Sequence, residues 1–125
     1  MKYDFNFSQM PDYILIKTGG FDLVEDFYKL LKDLFASPKW IQGTPQIIDH
    51  QYLDLKKMTF EQVKMIQSIV EFHAGKLAGA KCAFVIRGNG KTLAAELTKQ
   101  SNQKTISPIK FFADLDAAKK WILSS

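Results

Sequence analysis

A single cysteine, Cys82, stands among 125 residues, so no internal disulfide can staple this chain. It lies in Ala80-Lys81-Cys82-Ala83-Phe84-Val85-Ile86, an apolar run that reads as a buried strand. A free thiol there behaves as a small hydrophobe, whereas a nucleophilic or redox thiol needs an exposed, electropositive setting. Such a cysteine suits a reducing compartment, so the expected location is cytoplasmic, with peripheral attachment to a membrane as a further option. Long apolar runs are missing too, and none approaches the ~20 residues that span a bilayer. The opening Met1-Lys2-Tyr3-Asp4-Phe5 carries an early acid and no apolar h-region, so it reads as a strand rather than a secretory signal. No basic stripe exists: 17 basic against 13 acidic residues give +4, and only Lys56-Lys57 and Lys119-Lys120 are adjacent. Nucleic acid is therefore not an expected partner. The two histidines, with no cysteine cluster beside them, lack the spacing of a metal site, and no cofactor is expected.

What is present is the composition of one globular domain, 46% hydrophobic and 24% charged, which we read as a single unit over residues 1–125. A chain of this length buries about two thirds of its unfolded surface and needs neither metal nor disulfide to fold. Residues 2–7 alternate, with Tyr3, Phe5 and Phe7 on one face, and predict a strand. Tyr13 to Thr18 predicts a second, joined to the first by the turn at Met10-Pro11-Asp12 as an antiparallel hairpin. Asp22 is the expected N-cap of a helix in which Leu23, Phe27, Leu30, Leu31 and Leu34 face inward. Glu25, Asp26, Lys29, Lys32 and Asp33 are assigned outward, and Ser37-Pro38 ends the helix. Ile47-Ile48-Asp49 forms the core of a third strand. Thr59 with Gln62 makes a capping box for a second, unusually apolar helix, whose end frays at Gly75 and Gly79. Cys82 to Ile86 is apolar on both faces, as a central parallel strand should be. A third helix is expected over 91–100, a fifth strand over 109–112, and a last helix capped by Asp114. Phe5, Phe27, Phe84 and Phe111 fall at inward positions, and Trp121 anchors the last helix.

The order β-β-α-β-α-β-α-β-α predicts an α/β domain with a mixed, mostly parallel five-stranded sheet flanked by four helices. That order, the Pro-bounded first helix and the Ala83-Phe84-Val85 strand resemble the SpoIIAA-like family, related to the STAS domain of anti-sigma-factor antagonists. The terminal Phe112-Ala113-Asp114-Leu115-Asp116-Ala117-Ala118-Lys119-Lys120-Trp121-Ile122 is similar to the family pattern F-x-D-x-x-x-A-x-x-W-[LI]. The resemblance implies binding rather than catalysis: STAS-type domains bind proteins or nucleotides, and related lipid-carrier folds bind apolar molecules. Antagonists of that kind carry a phosphorylatable serine in a pattern close to Asp-Ser-Ser-Gly. Here the string is absent, and Thr59 is the one hydroxyl near that place. A phosphate would sit well at a helix N-terminus, but the cap alone accounts for the residue.

Two further groups of residues invite chemistry. Arg87-Gly88-Asn89-Gly90-Lys91-Thr92 is like the tail of a phosphate loop, yet Val85 stands where a P-loop needs glycine. Arg87, Asn89 and Lys91 are nevertheless placed to hold an anionic head at a helix N-terminus. Asp49 and His50 end the third strand, where open α/β sheets gather ligands, but strand neighbours point to opposite faces, and we read them as a polar strand end. The aromatic load is high, with ten Phe, four Tyr and two Trp. Trp40 sits in a loop where nothing periodic buries it, and with Phe60, Met65 and Phe72 it is our candidate apolar contact surface. The first expectation is therefore a non-enzymatic domain for a small apolar or lipid-like ligand, at a membrane surface or free. The alternative is a regulatory protein-interaction module, and a homodimer through apolar helix faces accompanies either reading.

Overall fold

The computed structural model describes residues 3–19, 23–50, 59–86, 99 and 107–124. Five strands, β1 (Tyr3–Asn6), β2 (Ile14–Thr18), β3 (Gln46–His50), β4 (Cys82–Ile86) and β5 (Ile109–Phe112), form one sheet in the order β1-β2-β3-β4-β5. β1 runs antiparallel to β2 and every other neighbour is parallel. The helices among the described residues are α1 (Leu23–Ala36), α2 (Phe60–Phe72), the short α3 (Ala74–Leu77) and α4 (Leu115–Leu123). The predicted hairpin, parallel sheet and α/β class are all present. Of the helix expected over 91–100 only Lys99 is described, and it is helical; the neighbouring turn and the Asp22 cap lie outside the described residues.

Because side chains alternate along a strand, the sheet has two chemically distinct faces. On the upper face Ile14, Ile16, Ile48, Phe84, Ile86 and Phe111 meet Phe27, Leu30, Leu31 and Leu34 of α1 and Val63, Ile66 and Val70 of α2. On the lower face Ile47, Ala83, Val85 and Phe112 meet Ala118 and Ile122 of α4. α4 covers β3, β4 and β5 and leaves the β1 end bare, and the lower-face residues there are the exposed Asp4, Asn6 and Lys17. Polar residues sit where water reaches the sheet, as an antiparallel margin permits.

One outward assignment fails. Asp26 is 2% exposed, because α1 turns that side toward β1. There the Tyr3 hydroxyl donates to the Asp33 carboxylate, and burial, then Asp33, then Asp26 push the phenol up to about 12. The second helix is also broken. Its capping box is complete, with Thr59 Oγ1 accepting from Gln62 N at 3.2 Å and Gln62 Oε1 from Thr59 N at 2.9 Å. At His73 the backbone slackens to φ −102°, ψ 17°, although Leu77 N still donates to His73 O at 3.1 Å. The helical spacing thus carries on into α3, which ends at Ala78 and Gly79, both at positive φ.

α4 is held by one cation. Lys81 Nζ donates to the carbonyls of Trp121 and Ser124, both at 2.8 Å, and lies 5.2 Å from the Trp121 ring. These are the acceptors a helix C-terminus leaves unsatisfied. Lys110 stands 5.9 Å from the same ring, and Trp121 packs on Phe112 at 5.6 Å, which makes it the anchor expected of it. Lys81→Met keeps the aliphatic stem and removes the donors, so urea denaturation should show a loss of about 1–2 kcal/mol with the fold retained. Cys82 is fully buried, and burial pushes its thiol up to about 12. A thiol-reactive dye should therefore label it only as fast as the protein unfolds.

Candidate functional site

The strand-end candidates separate as the alternation demands. His50 lies on the upper face with Nδ1 2.9 Å from Thr18 Oγ1, and its ring stacks on Phe84 at 5.7 Å and 8°. The Thr18 hydroxyl also points at the Asp49 carbonyl, 3.4 Å away. A hydroxyl carries one proton, so giving it to that carbonyl makes Nδ1 of His50 the donor to Oγ1. Asp49 occupies the lower-face position, so carboxylate and imidazole cannot act together on one substrate atom. Reading this pair as an ordinary polar strand end needs correction: both residues are 0% exposed, because β3 is the middle strand and is covered on both faces. Burial pushes His50 down to about 3, against the opposing pull of the Asp49 charge. A base at that level is not poised for proton transfer near neutral pH.

The buried imidazole has a consequence for stability. The unfolded chain protonates this side chain near pH 6.5 and the native chain only near 3, so stability is full above 6.5 and falls as the pH drops through that window. Urea midpoints at pH 7, 6 and 5 should fall by up to ~1.4 kcal/mol per unit below pH 6.5. His50→Gln, which keeps a hydrogen-bonding group for Thr18 but cannot titrate, should flatten this slope.

The apolar candidates do not form an enclosed site. Trp40 is half-buried, folded back on the core and edge-on to Phe35 at 4.9 Å, so the loop has no free indole. Met65 and Phe72 do the reverse: they are 51% and 74% exposed on the outer side of α2. They are seven residues apart, two helical turns, and therefore share one stripe. The Phe60 side chain lies outside the described residues, as do Arg87, Asn89 and Lys91, so the anionic-head group has no geometry here. Thr59 is exposed and engaged in its cap.

The structure adds residues that periodicity did not single out. Tyr28 of α1, 43% exposed, places its ring 6.3 Å from Phe72. His73 stands between them, with ring centroids 5.0 Å from Phe72, 5.8 Å from Tyr28 and 5.3 Å from Phe35. Its Nδ1 is 2.9 Å from the Ile69 carbonyl, which can only accept, so Nδ1 carries the proton. Tyr28 did leave a signal: it is an aromatic one position off the Phe27 stripe, set in an otherwise charged row. The result is an aromatic surface running from Phe72 across His73 and Tyr28 to Phe35 and Trp40, with exposed Lys32 and Lys76 one turn from Tyr28 and Phe72.

Among the described residues no three His, Cys, Asp or Glu side chains group as metal ligands, and no helix is long and apolar enough to cross a membrane. No family model and no curated protein matches the sequence. A solved structure does: an uncharacterized protein of the DUF3478 family with a SpoIIAA-like fold from Shewanella loihica PV-4. It is 21% identical, with a TM-score of 0.55, and the match covers 96% of this chain and 91% of that one. At that identity the likeness speaks for architecture, and it agrees with the strand order and helix layers described above. The chain is an α/β domain with the SpoIIAA-like fold.

Proposed function

We propose that this chain is a non-enzymatic docking module that receives an apolar protein surface on its α1/α2 aromatic patch. The observation that carries the reading is Phe72, three quarters exposed next to Tyr28 and in line with Met65. Exposing a phenyl ring to this degree forgoes about 2 kcal/mol of burial, and grouped apolar exposure of this kind marks interaction sites. Aromatic and Met side chains are the types enriched at protein interfaces. The shared fold supports a regulatory role, since anti-sigma-factor antagonists work by binding protein partners; this is an argument by analogy of fold. The small apolar ligand recedes to second place, because the candidate residues lie on an outward helix face and a ligand of that class is usually enclosed. A membrane surface stays as a second reading on one observation, the exposed Lys32 and Lys76 beside the aromatics.

A photo-crosslinking phenylalanine analogue at Phe72 tests this in cells. The comparison is the same analogue at Leu123, which is 62% exposed on α4, behind the opposite sheet face. Protein adducts at 72 and not at 123 are the expected result, and lipid adducts would transfer the site to the membrane reading. Equal capture at the two positions, or none, would sink the docking module.

A further inference from the structure

The α2 stripe is ordered in a way that a general sticky patch is not. Exposed Glu61, Met65, Ser68 and Phe72, then Lys76 in α3, follow one another at intervals of four, three, four and four, with exposed Lys64 beside Met65 and placed to meet His73 of a second copy. Those intervals keep them on one side of a helix. The spacing is symmetric about a point between Ser68 and Ile69, with one apolar residue on each side and opposite charges at the two ends. Ser68 at the centre is small, and its hydroxyl donates back to the Lys64 carbonyl at 3.1 Å, so it presents little bulk.

A two-fold axis through that central point turns the stripe into its own complement. In an antiparallel pair Met65 meets Phe72 of the other copy twice, and Glu61 meets Lys76 of the other copy twice, since 61 and 76 lie as far from the centre on either side. Parallel alignment would set Glu61 on Glu61 and Lys76 on Lys76. We infer that a second copy of this chain occupies the stripe, as an antiparallel two-fold dimer. The inference rests on the reading of this face as a docking surface. It adds a form of regulation: self-association covers Met65 and Phe72, so the dimer and the partner-bound chain exclude one another. An isologous contact of this kind closes at two copies. One helix pair is small as interfaces go, so a reversible association is expected rather than an obligate one.

Sedimentation equilibrium on purified chain across the micromolar range tests the proposal, with circular dichroism and urea midpoints to confirm folding. Wild type should show a reversible monomer–dimer equilibrium, and Phe72→Glu should weaken it by about a hundredfold. Glu61→Lys and Lys76→Glu each place like charges at both junctions and should each weaken it by about tenfold. An equimolar mixture of these two variants should regain near wild-type association, because every junction of the mixed dimer then joins opposite charges. A monomer at all concentrations, or a dimer indifferent to the exchange, would overturn the proposal. A monomeric pure chain whose position 72 still captures another protein in cells would overturn the dimer alone. Loss of both signals would remove the docking reading with it.

Discussion

β3 is the middle of five strands and none of its five side chains reaches water. Water is excluded from both sides of that strand, and this condition dictates most of what surrounds it. It calls for a helical layer above and another below, which α1 with α2 and α4 supply. It also dictates how the polar residues of β3 must behave. His50 is kept neutral and held between Thr18 and Phe84, and Asp49 is turned to the other face. A cavity at Ile48 would open the upper layer and one at Ile47 the lower, since the strand serves both.

The division of labour between interior and exterior follows from the same arrangement. The upper helices spend their inward faces on the sheet, which leaves the outer surface of α2 to be decided by other needs. Met65 and Phe72 are poorly explained by folding alone, because polar residues at those exposed positions would serve water better. Function is therefore sought on the surface of this domain, and the strand ends that usually hold the chemistry of α/β proteins are, at β3, closed.

Much of the fold was legible because its signals are local. Alternation marked Tyr3, Phe5 and Phe7, helical spacing marked Phe27, Leu30, Leu31 and Leu34, and Thr59 with Gln62 announced a cap that the structure contains bond for bond. What escaped was decided by neighbours distant in sequence. Asp26 was assigned outward because it is charged, yet a carboxylate at a helix margin is buried when another strand, here β1, lies against it. Trp40 lacked a periodic partner, but Phe35 received it through the turn that follows α1. His50 reads as a polar strand end, and its full burial is not visible in the sequence because nothing local says that its strand is central. For the site, helical spacing marks Met65 and Phe72 as a pocket lining or an exposed patch, and the structure shows the patch, extended by Tyr28 and His73, whose places depend on packing between α1 and α2.

The order of strands in the sheet matches their order along the chain, and α1 and α2, the crossover helices described, cover one side only. Among the described residues the other side is closed by α4, which follows β5. As the chain is synthesised, the layer over Ile16, Ile48 and Phe84 can be laid down strand by strand, while Ile47, Ala83 and Val85 gain Ala118 and Ile122 on the reverse only after α4 has emerged. The domain is thus asymmetric in time as well as in space: α1 and α2 can reach their face early, and α4 reaches the other late.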